Sequence, residues 1–165
     1  MQRIHITGNA GSGKTTFGKA LSKKLIIDLH GLDQIVWKSG WVKTPLEERK
    51  EKIRNLIDNK KWIIEGVSGQ VFKSAELIIF LDIPLWECIL GILKRFAQNG
   101  LKTRNDLPKN CPEYIGVFKA IKVAFIYQKV TRPLLLNLAN ELTLNQKIIF
   151  IKKRADCEGF FASLS

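Results

Sequence analysis

The sequence is poor in cysteine. Cys88, Cys111 and Cys157 are the three in 165 residues, an odd count, far apart and with no C-x-x-C pair. That indicates neither a disulfide framework nor a cysteine zinc site, and a reducing cytoplasm is the expected setting. Long apolar runs are also missing. The most apolar stretch, Leu77 to Leu81, stops at Asp82, whereas a membrane-spanning helix needs ~20 residues. The first residues, MQRIHITGNAGSGKTT, lack the apolar core of a signal peptide. His5 and His30 have no carboxylate or cysteine partner at metal-ligand spacing, so neither is given a role. RNP aromatics, a clear helix-turn-helix, internal repeats and low-complexity linkers are absent as well.

Acid is scarce too. Fifteen Asp and Glu stand against 27 Lys and Arg, a formal net charge of +12. Such an excess calls for an anionic partner: a nucleotide, a nucleic acid or a membrane surface. It is unevenly spread. Lys94 to Arg132 holds nine Lys or Arg against Asp106 and Glu113, a net +7 of the total +12.

What is present is an ordinary globular composition, 45% hydrophobic and 25% charged, at a length expected for one domain over residues 1–165. Arg3 to Thr7 alternates as a short strand, and Thr15 to Leu25 carries helical spacing. A second strand is expected over Leu25 to Leu29. A helix should start at Pro45 and run to Asn59. Trp62 to Glu65, Leu77 to Leu81 and Lys147 to Ile151 are continuous apolar runs, the mark of strands buried on both faces of a parallel sheet. Helices are expected over Pro84 to Gln98, over Glu113 to Leu142 with an interruption at Pro133, and over Cys157 to Leu164. The fold class is therefore α/β, with a five-stranded parallel sheet flanked by helices.

One motif carries chemistry. Gly8-Asn9-Ala10-Gly11-Ser12-Gly13-Lys14-Thr15 fits G-x-x-x-x-G-K-[ST] at every fixed position, between a strand and a helix as the motif requires. Its glycines let successive backbone N–H groups face one concavity that binds phosphate oxygens. The helix start adds its dipole. Gly8 through Thr16 are thus the nucleotide-binding candidates, with Lys14 reaching the β- and γ-phosphates of ATP and the Thr15 hydroxyl binding Mg2+. Asp82, at a strand end, is the second metal candidate; a helix N-cap is its alternative.

The P-loop near residue one, the short chain and the missing N-K-x-D resemble the adenylate kinase-like branch of P-loop kinases. Within it the sequence resembles the DNA topology modulation protein family. The residues that carry the likeness are Leu32-Asp33, Trp37-Lys-Ser-Gly-Trp41, Trp62-Ile-Ile-Glu65-Gly66 and Leu77 to Pro84. Arg104-Asn-Asp106-Leu, Cys111-Pro112-Glu113 and Thr131-Arg132-Pro133 follow in order. Glu65 stands where that family more often has Asp, and Val67-Ser68 replace Asn-Tyr. The resemblance implies a nucleotide site, a separate acceptor site and a basic lid at about 99–112.

Asp33, just past the second strand, is a candidate acceptor-side base or a turn cap. Glu65 is a candidate for the same task or for ordering Mg2+. Trp37 and Trp41 offer an aromatic wall or plain core packing. Arg95, Arg104 and Arg132 are the candidate phosphate-stabilising cations, since planar guanidinium suits phosphate oxygens; a solvated surface role is the alternative. Arg154, after the last strand, is a candidate for stacking on adenine, with a solvated charge run at Lys152-Lys-Arg154 as the alternative. The expected function is transfer of the ATP γ-phosphoryl group to a small acceptor, a nucleotide or another hydroxylated metabolite. The alternative is an ATP-binding protein that meets DNA through backbone electrostatics.

Overall fold

A computed structural model describes residues 2–163 except 100–112, with the side chains of 99, 113–115 and 163 also outside the description. The elements in order are β1 (Arg3–Gly8), α1 (Lys14–Leu25), β2 (Leu29–Gly31), α2 (Asp33–Val36), β3 (Trp37–Lys38) and β4 (Val42–Lys43), the last two joined by a 3-10 turn at Ser39–Trp41. Then come α3 (Leu46–Ile57), β5 (Trp62–Glu65), α4 (Gly69–Ser74), β6 (Leu77–Leu81) and α5 (Leu85–Asn99). The chain closes with α6 (Glu113–Ile126), a π-helical stretch at Tyr127–Thr131, α7 (Arg132–Asn140), β7 (Lys147–Ile151) and α8 (Asp156–Ser163).

The five-stranded sheet has the order β2-β5-β1-β6-β7, and every pairing in it is parallel. Parallel strands need helical crossovers, which cover both faces and explain the unbroken apolar runs. Ile63, Ile64, Ile78, Ile79 and Phe80 are all fully buried. One face packs on Phe17, Leu21, Cys88 and Ile83; the other packs on Phe72, Val71, Tyr127 and Leu135. Strand β1 is central, so whatever follows Gly8 emerges at the carboxyl end of the sheet, where open α/β folds bind ligands.

Besides the short helices α2 and α4, which the sequence does not announce, three elements differ from the sequence expectation. Leu25 ends α1 rather than beginning a strand, because Ile26 caps the helix in the left-handed region at φ 54° with its N–H bonded to the Ser22 carbonyl. The next strand therefore waits until Leu29. The long helix after 113 is interrupted near Pro133, as a π stretch directly ahead of it and not as a break: the Arg132 N–H reaches back to the Tyr127 carbonyl, and proline sits at the start of α7. Lacking an N–H, proline leaves a carbonyl of the preceding turn without its helical partner, and the π stretch lies where that bond is missing. The third is the β3–β4 ribbon, two residues per strand, too short to leave a periodic pattern.

Candidate phosphate-binding site

The loop after β1 turns through Gly11 at φ +77° and Gly13 at φ +97°, where a Cβ carries strain. Gly11 is needed twice over, since a Cβ there would stand 2.1 Å from the Cys88 carbonyl oxygen of α5. Gly13 then starts α1, so the helix dipole points at the loop's concavity.

Asn9 is 1% exposed and organises the loop. Its Oδ1 accepts from Ala10 N at 2.7 Å, and its carbonyl accepts from Ser12 N at 3.2 Å and from Lys14 Nζ at 2.7 Å. Ser12 is buried with no hydrogen-bond partner for its hydroxyl among the described residues. Desolvation holds the Lys14 ammonium below the usual lysine range, opposed by the Glu65 and Asp33 carboxylates and reinforced by Arg95. Lys14, Glu65, Asp33 and Arg95 thus share one electrostatic neighbourhood.

Glu65 is placed by register: it pairs with Ile6 across β5 and β1. Its carboxylate accepts from Thr15 Oγ1 at 2.7 Å and is 8% exposed. A hydroxyl beside a carboxylate is a hard-oxygen pair of the kind Mg2+ takes, usually with few protein ligands. Among the described residues no group of three or more His, Cys, Asp or Glu gathers as a fuller metal cage. Asp82 is arranged differently. Both of its oxygens are gripped by Arg132, Nε to Oδ1 at 2.6 Å and Nη2 to Oδ2 at 2.7 Å. The acid beside Thr15 is therefore Glu65, and the Asp82 and Arg132 candidates are partners of each other.

Asp33 opens α2, exposed, directly after buried Leu32. Thr16 is exposed on the first turn of α1. Arg154 donates to the Gly11 carbonyl at 2.7 Å and the Glu87 carbonyl at 3.1 Å, so its guanidinium braces the loop backbone. Trp37 and Trp41 meet edge to face at 5.3 Å. Lys119 Nζ of α6 lies 5.6 and 5.4 Å from their ring centres, which docks the ribbon on α6. Arg104 and the expected lid at about 99–112 lie outside the described residues.

Glu65 is a sequence candidate for ordering Mg2+ or for the acceptor, but its contact with Thr15 depends on the pairing of β5 with β1, and strand order leaves no local signal. The burial of His5 was missed from sequence. His5 is fully buried, its Nε2 3.0 Å from the Gly66 carbonyl, and burial pushes its pKa down to about 4.

A P-loop ahead of a helix, on a parallel sheet of this order with an acid beside the loop threonine, defines the class: an adenylate kinase-like P-loop kinase. A shikimate kinase from Acinetobacter baumannii solved with shikimate covers 99% of this chain and 93% of its own, with a TM-score of 0.58 at 14% identity. A deoxyadenosine kinase from M. mycoides solved with dATP covers 98% of each chain at a TM-score of 0.52 and 13% identity. At such identities the likeness is one of fold. The sequence narrows it further: a shikimate kinase from Bacillus cytotoxicus is 62% identical over 140 residues, 81% of this chain and 72% of that protein. The chain belongs to the shikimate kinase family. It spans about half the length of other curated relatives that it matches. No family profile matches it. Among the described residues no helix is long and apolar enough to cross a membrane.

Proposed function

We propose that this chain transfers the γ-phosphoryl group of ATP to a hydroxyl of a small acceptor, and that shikimate is the acceptor to test first. The observation that carries this reading is the Thr15 hydroxyl against the Glu65 carboxylate at 2.7 Å, beside Lys14 in the phosphate loop. Kinship with the Bacillus cytotoxicus shikimate kinase supports the choice of acceptor.

In this reading the loop amides and Lys14 hold the β- and γ-phosphates, and Thr15 with Glu65 holds Mg2+. When bound, the metal neutralises charge on the phosphate oxygens. Asp33 takes the proton from the acceptor hydroxyl as its oxygen bonds to the γ-phosphorus. The bond from that phosphorus to the bridging oxygen breaks, and ADP leaves. Arg95 and Arg104 stabilise the charge on the transferring group, the larger part of catalysis in this chemistry. Arg132 acts through Asp82.

The test is ADP release with shikimate, nucleosides and nucleotides as acceptors. Shikimate-dependent release above the no-acceptor control is expected. Bound ATP with no acceptor-dependent release would refute the reading. The finer likeness to topology modulation proteins leaves a DNA-linked role as the second reading, resting on the +12 charge alone. It requires DNA binding that ignores sequence and falls steeply with salt, which a gel shift at physiological salt decides.

A further inference from the structure

We propose that Asn9 is a positioning residue that ties the phosphate loop to α6, so that one helix sets both the loop and the strand end beside it. The proposal rests on the kinase reading above and concerns the Asn9 side chain, which faces the protein instead of a nucleotide. Its Nδ2 donates to the Ala124 carbonyl at 3.1 Å, a fully buried contact between positions 115 residues apart. The other end of the carboxamide accepts from Ala10 N, which fixes its orientation and leaves Nδ2 as the donor. The Asn9 backbone carbonyl meanwhile receives Lys14 Nζ. One residue therefore connects the phosphate-seeking lysine to α6.

The helix continues from Ala124 into the π stretch at Tyr127–Thr131. A π turn inserts a residue and shifts the phase of all that follows, and such turns recur at functional sites. Here the next residue is Arg132, whose guanidinium clasps both oxygens of Asp82. Asp82 follows β6, and Gly8 pairs with Leu81 across β1 and β6. The contacts form a closed circuit: Gly8, Asn9, Ala124, the π stretch, Arg132, Asp82 and back to Gly8. Small residues let α6 lie close at both of its contacts. Ala124 is fully buried beneath the loop, and a Cβ at Gly116 would stand 2.6 Å from the Trp41 ring. The loop of the phosphate site and the ribbon following Asp33 thus rest on one helix.

Coupling of this kind is reciprocal: a ligand that fixes the loop must also fix α6. Hydrogen exchange over residues 116–132, with and without AMP-PNP and Mg2+, reads that effect directly. Slower exchange on binding is expected in the parent. Asn9→Ser keeps an acceptor for Ala10 N but is too short to reach Ala124. It should bind AMP-PNP more weakly by about 2- to 13-fold, the range one neutral hydrogen bond supports. At saturating nucleotide it should lose the slowing over 116–132. Asn9→Asp, which sets a carboxylate against the Ala124 carbonyl, should lose it too. A merely local role in the loop turn would leave the Asn9→Ser slowing intact, and that result overturns the proposal. So does a parent that binds AMP-PNP without any change in α6. A parent that does not bind AMP-PNP at all would instead sink the kinase reading.

Discussion

Replacing Gly91 by alanine tests how tightly α5 supports the phosphate loop. By helix propensity alone the change is favourable, worth about 1 kcal/mol in a helix interior. The structure opposes it. A Cβ at position 91 would stand 2.4 Å from the Gly11 carbonyl oxygen and 2.8 Å from Arg154 Nη2, where ordinary contact begins near 3.4 Å. The carbonyl is backbone and cannot swing aside, so the loop or the helix must yield by about 1 Å, an overpacking cost of about 1–3 kcal/mol. The Arg154 bond to the same carbonyl is strained as well, and one such bond is worth about 1 kcal/mol. The steric and hydrogen-bond losses exceed the propensity gain. Gly91→Ala should therefore melt several degrees lower, at about 2–4 °C per kcal/mol for a chain of this size. Its nucleotide affinity should fall more than its stability suggests, because the displaced atoms belong to the phosphate cradle. Differential scanning calorimetry and a nucleotide titration measure the two effects. A variant as stable as the parent, with unchanged affinity, would refute the packing argument.

Further outcomes follow from the same geometry. Glu65→Gln keeps the shape of the Thr15 partner but removes its charge, so the Mg2+ concentration for half-maximal activity should rise about tenfold or more, the scale on which partners supporting a metal site act; an unchanged Mg2+ titration would place the metal elsewhere. Arg132→Met leaves Asp82, whose side chain is 12% exposed, without its guanidinium, and should cost about 1.5–3 kcal/mol in urea unfolding. Adding Asp82→Asn should restore part of that loss, because the stranded charge is gone. His5 has its pKa lowered from 6.5 to about 4 by burial, so between those values the unfolded chain binds a proton that the folded chain refuses. Stability is complete above pH 6.5, falls as pH drops through that window and levels off below 4, a total of about 3 kcal/mol at 1.36 kcal/mol per unit. His5→Gln should flatten that part of the pH profile, and an identical profile in the variant would refute the assignment.

The sheet and the loop were legible because each leaves a local mark. Unbroken apolar runs at 62–65, 77–81 and 147–151 announce two-sided burial, and the glycine spacing from Gly8 to Gly13 announces the phosphate cradle. What stayed hidden depends on which strand lies beside which. Asp82 and Glu65 both follow apolar strands and are equivalent as sequence. The order β5-β1-β6 then sets Glu65 against Thr15, while the helical phase after the π stretch sends Arg132 to Asp82. Arg154 reads from sequence as a cation for stacking on adenine, yet its guanidinium donates to the Gly11 carbonyl of the loop. The concentration of +7 between Lys94 and Arg132 was legible as a total, but its members divide. Lys119 lies over the two tryptophans, Arg132 pairs with Asp82, and the charge of Arg95 helps to hold the Lys14 ammonium below its usual range.

The most direct test of the central claim follows the γ-phosphoryl group itself. Labelled ATP is incubated with shikimate and Mg2+, and label in the acceptor is compared between the parent and Lys14→Ala at equal folded protein. Lys14 packs in no core cluster and in the proposed reading serves the phosphates, so the variant should keep its fold and transfer no label, while the parent labels the acceptor. Equal labelling by the two proteins, or none by the parent across the whole acceptor panel while it binds ATP, would contradict the account.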